Sequence, residues 1–424
     1  MMSISSFSPD VRRTVRIEIG AALLVTLFTG LTGPFTGLIL RRELGATPMH
    51  FSLLASANAA CLLLSVLLAR LVDTRRPLPW VVWPTFAARG LFLLVPLIAS
   101  PWPFLGLMVA GTLLNTVAGP AQSAMIQRLY PPDARGRALG AVRVAGAVAA
   151  IALSAVAGHL LLHVDYRHVF GAAALLGMAG SMAQLRLTVP EAPAAAAPER
   201  PGLREAWRAI ARDRRYRGLL IASTVFGSGI WLQMPATPLL LADVAGVSTA
   251  QAGVLSGIAA TAALGANVLW GRLVDRRSSV RALRVVYCVG TLTPIAYYAV
   301  SRVPSATWLL AAGTVFESLM ATGLDLVWML AVIDAAGPRR AAHYAAIAGT
   351  VAGVRGILGP MAGAALIQWF GVHAVYLAAT ALMATGAWLV GRLASAPQNT
   401  PRYIEQPRHT SGGLSVSSAA LKLS

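Results

Sequence analysis

The chain has 424 residues, of which 56% are hydrophobic and 12% charged, with a mean hydropathy of +0.66, whereas soluble domains carry roughly a quarter charged residues. That balance excludes a soluble globular enzyme and belongs to a polytopic membrane protein. The formal charge of +19 does not indicate nucleic acid, because nucleic-acid binders gather their cations into a patch on a soluble domain and here they stand between apolar runs.

A helix needs about 20 apolar residues to cross the hydrocarbon core. Residues 1–17, with Arg12, Arg13 and Arg16, precede a run too long for a signal-peptide core and without a small-residue cleavage site. The run is therefore the first of twelve expected spans: 18–40, 51–69, 79–99, 103–127, 140–162, 168–186, 218–241, 250–270, 284–301, 306–332, 343–367 and 373–392.

In span 1, Glu18 is expected to pair with Arg12 or Arg16, and Thr26, Thr29, Gly33 and Thr36 form a stripe that either packs against another helix or lines a cavity. Span 2 contains Cys61 and runs into "ARLVDTRRP", with Asp73, Arg75 and Arg76 in an inner turn. Span 3 holds Arg89 near mid-depth, span 4 holds Asn115, and Arg143 near the inner end of span 5 is expected to snorkel. His159 and His163 lack the acidic or cysteine partner that a metal site needs.

Residues 187–217 join two halves as a linker. From Gly202 onward, Leu203, Trp207, Ile210 and Ala211 recur at helical spacing among arginines, which reads as an amphipathic helix on the inner membrane face or as a solvated helix. Span 7 places Ser228, Trp231 and Gln233 before Pro235, where a kink is expected. After span 8 the chain repeats its earlier corner as "GRLVDRRSS", with Gly271, Asp275, Arg276 and Arg277; Cys288 follows in span 9. Neither cysteine suggests more than packing.

Span 10 carries two carboxylates. Glu317 falls near the midplane at about 1.5 Å per residue, at the depth of its repeat mate Asn115; Asp325 lies two turns further in, and Trp328 returns to the Glu317 face. Ionisable groups at membrane depth are costly and so mark function by default. Glu317 is the candidate proton or cation-substrate site, and Asp325 belongs either to the cavity or to the inner gate. Arg355 in span 11, like Arg89, either binds an anionic substrate or neutralises these carboxylates. Residues 394–424, rich in Ser, Pro and Gly, read as a disordered tail.

Basic residues decide the orientation. With both termini inside, 28 of the 35 basic residues lie in the inner segments or, as Arg186, Arg284 and Arg392, at the inner ends of spans, a strong positive-inside asymmetry. The two corner motifs coincide at an offset of 202, as do "AGTLLN" (110–115) and "AGTVFE" (312–317). At an offset of 201, Pro34 falls on Pro235, Gly45 on Gly246, and "DARGR" (133–137) on "DAAGPR" (334–339). The bundles 18–186 and 218–393 are thus a parallel repeat, a usual symmetry of secondary transporters.

With these residues in view, the chain resembles the major facilitator superfamily over nearly all of 15–393. The family's motif between helices 2 and 3, G-x-L-x-D-[RK]-x-G-[RK]-[RK], is matched better by Gly271, Leu273, Asp275 and Arg276 than by Leu71, Asp73, Arg75 and Arg76, where Ala69 replaces the glycine. An aspartate at a helix C-terminus meets an unfavourable dipole and needs a cationic partner, sought among arginines of 128–137 and 339–340; alternatively the arginines only hold the loop inside. The arginine and the Gly-Pro signature that proton-coupled antiporters of the family carry in helices 4 and 5 are absent there, although "GVRGILGPMAG" (353–363) in span 11 is similar to the latter.

The resemblance implies an all-α fold of two six-helix bundles, a central cavity lined by helices 1, 4, 7 and 10, and no enzymatic activity. It also implies alternating-access transport of a small organic solute across the cytoplasmic membrane by a monomer without cofactor or nucleic-acid partner. Proton coupling and export are favoured. Import or exchange of organic anions gripped by Arg89 and Arg355, and a non-transporting receptor on the same fold, stay open as alternatives.

Overall fold

The computed structural model describes residues 8–68, 72–73, 75–190, 213–276, 278–336 and 341–395. Arg277, the residues from Gly202 to 212, Arg339 and Arg340, Ala69 to Leu71 and the tail beyond 395 lie outside the described residues.

Twelve helices long and apolar enough to cross a membrane are present among the described residues. They are α1 (Pro9–Arg42), α2 (Pro48–Leu68), α3 (Pro77–Gly90, tightening to a 3-10 turn over Leu91–Leu97), α4 (Pro101–Leu129), α5 (Pro132–His163) and α6 (Tyr166–Ala183). The second half repeats them as α7 (Arg214–Gln233, resumed over Ala236–Leu239 and a π turn at Leu240–Val244), α8 (Thr249–Arg276) and α9 (Ser279–Arg302). Then come α10 (Trp308–Gly323, a π turn at Leu324–Trp328, and Met329–Ala336), α11 (Ala341–Phe370) and α12 (Val372–Ser395). Below, "inner" denotes the end to which the charge distribution assigns the cytoplasm.

Local chemistry sets the helix ends. The first five helices begin on a proline, which is tolerated in the first turn because its missing N–H would be unsatisfied there anyway. The repeat mates Gly45 and Gly246 both adopt positive φ, 70° and 60°, and each reverses the chain beyond a helix so that later N–H groups can satisfy its last carbonyls, Ala46 to Leu40 and Val247 to Leu241.

Several helices outrun the apolar stretches. Helix α1 begins at Pro9 rather than 18, because Val11 and Val15 bury one face while Arg13 and Arg16 occupy the other. Helix α5 begins at Pro132, which makes "DARGR" its opening turns rather than a loop. Helix α8 continues to Arg276, so Gly271 and Asp275 stand in its last turns. At Met234 and Pro235 the seventh span is interrupted, as a proline that cannot donate a helical hydrogen bond requires.

The halves are built alike: α1 packs on α5 and α6 and α3 on α4, while α7 packs on α11 and α12 and α9 on α10. Across the halves, α5 lies against α8 and α2 against α11. The contacts are close where glycine removes a side chain. A Cβ on Gly158 would stand 2.6 Å from the Thr249 carbonyl oxygen, and one on Gly356 2.7 Å from the Ala59 side chain.

The buried apolar residues divide by depth. One cluster, including Phe35, Leu40, Phe104, Leu232, Leu240 and Tyr376, draws on both halves. Toward the inner end the cores separate: Val15, Val81, Met125 and Tyr130 belong to the first half alone, and Phe226, Trp270, Leu283 and Val327, with Tyr216 and Tyr344 nearby, to the second. The halves are therefore joined at the outer end and keep separate cores at the inner end. Trp102, Trp308 and Trp369 are exposed at outer helix ends, where amphipathic rings suit the membrane interface.

Candidate functional site

Glu317 sits half-buried on α10. Its Oε2 accepts a hydrogen bond from the Tyr297 hydroxyl of α9 at 2.7 Å, and the Tyr297 ring meets Tyr376 of α12 edge-on at 5.6 Å. Gly313, one turn before Glu317, makes room for that ring, since a Cβ there would overlap it. The carboxylate thus turns toward α9 within its own half rather than toward Asn115, and its partner is a neutral donor.

Asp325 is exposed within the π turn of α10 and makes no hydrogen bond or ion pair with a described residue. Such turns interrupt the helical ladder and recur at functional positions. Trp328 packs between the two inner cores of the second half.

Asn115 opens onto a cavity of about 390 Å³ inside the first half, bounded by α1 to α4 and shared with Thr29, Asn58, Arg89 and Thr112. Its Nδ2 donates to Gly111 O, and Thr112 Oγ1 donates to Asn58 Oδ1 at 2.9 Å. Arg89 donates through Nη1 to the Gly177 carbonyl at 3.1 Å and to the Ser181 hydroxyl, both on α6. Phe28 and Phe92 meet edge-on at 5.0 Å in the wall.

Arg355 crosses from α11 to α7, where Nη1 donates to Ser223 O at 2.5 Å and the guanidinium lies over Gly227, whose absent side chain leaves the space. With Thr224, Ser228 and apolar residues it borders a second cavity of about 490 Å³. Neither arginine reaches Glu317 or Asp325. Trp231 packs on Gly356 and Gly359 of α11, and Gln233, 5% exposed, has a buried Oε1 without a partner.

The threonine stripe of α1 divides between its two expected uses, Thr26 lying against Gly146 of α5 and Thr29 facing the cavity. Glu18 accepts a hydrogen bond from the Tyr130 hydroxyl at 2.5 Å in place of an arginine. The phenol lies at the C-cap of α4 and reaches across the half.

At the inner corners, Asp73 Oδ1 accepts the Arg75 backbone N–H at 2.8 Å, and Arg128 donates to the Arg75 carbonyl at 2.8 Å. An arginine of the expected segment does meet the corner, but at the backbone and not at the carboxylate. Asp275 and Arg276 are exposed. The inter-half ion pair among the described residues lies at the opposite end, where Arg41 Nε donates to both oxygens of Asp243 at 3.0 and 2.9 Å and Arg42 donates to Ala242 O at 3.0 Å.

Sequence reading missed Tyr297, Asn58 and Asp243. Nothing in a sequence aligns Tyr297 with Glu317 across two helices. Asp243 is the repeat mate of Arg42 at the local offset of 201, and its pairing with the neighbouring Arg41 is not marked by the repeat.

A family model described as Major Facilitator Superfamily matches residues 19–312 and 219–420. No curated protein matches the sequence. Among solved structures the chain is similar to the nucleoside transporter NupG, with a TM-score of 0.68 and 14% identity over 90% of this chain and 100% of that one. It is also similar to a bacterial homologue of the iron transporter ferroportin in an inward-facing state, with 0.66 and 12% over 91% and 99%. A third likeness is to a bacterial homologue of the human lysosomal transporter Spinster, inward-facing and unoccupied, with 0.59 and 16% over 92% and 96%. At these identities the likeness concerns the fold.

Proposed function

The chain belongs to the major facilitator superfamily and is a multi-pass membrane transporter of a small molecule, and on that premise we propose that it moves an organic solute across the cytoplasmic membrane by proton-coupled alternating access. The observation that carries this reading is the division of the core: one cluster binds both halves at the outer end, while separate clusters serve each half at the inner end. Two halves whose shared core lies at one end can rock about the site between them. Both termini lie in the cytoplasm in this reading, supported by the concentration of arginines in the inner segments.

Glu317 is the proton site. It is a carboxylate inside a span, hydrogen-bonded to a neutral phenol and out of reach of Arg89 and Arg355, so no fixed cation competes with a proton for its charge. Asp325, exposed two turns further in, offers a relay toward the inner end.

The test is reconstitution of the full chain into sealed vesicles loaded with a pH-sensitive dye, followed by a panel of organic solutes. A transported solute exchanges with its labelled form and shifts the internal pH. Solute binding without any flux across the vesicle wall would identify a receptor and overturn the reading.

A further inference from the structure

The cavity between α1, α2, α3 and α4 carries one full charge, that of Arg89, and no acidic residue lines it. A guanidinium at membrane depth is costly unless its charge is answered. The protein answers it only in part. Nη1 is held by the Gly177 carbonyl and the Ser181 hydroxyl, while Nε and Nη2 bond to no described residue and neither is sealed from solvent. Arg355 differs, because its Nε is buried without a partner and its Nη1 is held by the Ser223 carbonyl, in a cavity lined mostly by apolar residues.

The arginine is also fixed in place. A Cβ on Gly177 would stand 2.9 Å from Arg89 Cδ and from Phe28 Cγ, so the glycine leaves the channel through which the stem passes. With Nη1 pinned to α6, the free edge of a planar fork is a preorganised bidentate donor for a carboxylate. The Thr112 hydroxyl, whose proton is shared between Asn58 Oδ1 at 2.9 Å and Met108 O at 3.0 Å, orients the Asn58 oxygen toward α4, which leaves the amide nitrogen as a second donor. The Phe28 and Phe92 rings supply an apolar wall, and about 390 Å³ lies toward the small end of ligand pockets, roughly 300–1,000 Å³.

We propose that this cavity receives a small organic anion, its acidic head on the free edge of Arg89 and the Asn58 amide and its apolar body against Phe28 and Phe92. The proposal deepens the transporter reading and rests on it. It names the substrate class and places substrate in the first half, opposite the proton carboxylate in the second. Gly177 and Ser181 act as positioning residues through Arg89.

The experiment is equilibrium binding to the full chain in detergent without any gradient, using benzoate, phenylacetate and hexanoate, each paired with its primary amide. The acids are expected to bind at least tenfold more tightly than the amides. Arg89→Gln should remove that preference, Arg89→Lys should keep part of it, and Thr112→Val should weaken the acids severalfold by releasing Asn58. Equal binding of every acid and its amide, or a preference that survives in folded Arg89→Gln, overturns the proposal. If Arg89→Gln does not fold, Thr112→Val decides, and unchanged acid binding there overturns it. Arg89-dependent binding without flux in vesicles would instead defeat the transport reading and leave the site standing; flux of neutral solutes without acid binding would do the reverse.

Discussion

Arg41 and Asp243 stand one position out of repeat register, since the offset of 201 set by Pro34 and Gly45 pairs Arg42 with Asp243, and the Arg41 and Asp243 side chains meet at 2.8 Å where α1 and the seventh span end. The ion pair joins the two halves at the outer end.

That pair is partly exposed, 31% and 40% by side chain, so solvent screening limits its worth to roughly 0.2–1 kcal/mol. Asp243→Asn should therefore loosen outer closure only a few-fold, seen as faster outside labelling of a cysteine at Thr36 in a background lacking Cys61 and Cys288. The exchange Arg41→Asp with Asp243→Arg should restore the slow rate. Unchanged labelling in Asp243→Asn would remove the pair from the gate.

Backbone contact should matter more. A Cβ at Gly158 meets the Thr249 carbonyl oxygen and, at 3.1 Å, Ala250 Cα and Gly253 Cα, none of which can rotate away. Gly158→Val is expected to cost the closed outer end about 1–3 kcal/mol, the usual penalty of overpacking, and to speed the same labelling roughly tenfold. If the rate and the melting temperature both stay at wild-type values, the close α5–α8 contact is not maintained in the membrane.

At the inner end of the second half, Asp213 caps α7 by accepting the Tyr216 N–H at 2.9 Å. It also receives the Tyr344 hydroxyl at 2.9 Å, while the Tyr216 hydroxyl donates to Tyr344 O at 2.6 Å. Tyr344→Phe removes one bond to a charged acceptor, worth about 1.5–3 kcal/mol, and Asp213→Ala removes that bond together with a cap worth about 1 kcal/mol. Melting temperatures should fall in that order. A larger fall for Tyr344→Phe would show that the cap contributes nothing.

Much of the fold was legible because the bilayer imposes length and apolarity on each span, and because repeat matches such as Pro34 with Pro235 and Gly45 with Gly246 divide the chain into two like halves. Helix extents were less so. Val11 and Val15 lie in an amphipathic stretch that no apolar-run criterion includes, and the last turns of α8 carry Arg272 and Asp275, which resemble a loop in composition. Depth placed Glu317 and Arg89 inside their spans, but their partners Tyr297 and Ser181 come from helices packed beside them. Such pairings depend on helix rotation, which a single sequence does not encode. The Arg41–Asp243 pair likewise joins residues that the repeat offset of 201 does not align.

The proposed role of Glu317 as carrier of the coupled proton is tested by Glu317→Gln, because the glutamine oxygen can still accept the Tyr297 hydroxyl and preserve the local packing. In sealed vesicles the variant should exchange labelled for unlabelled solute at close to the wild-type rate while its solute-driven pH change disappears. A pH change of wild-type size in Glu317→Gln would contradict the account.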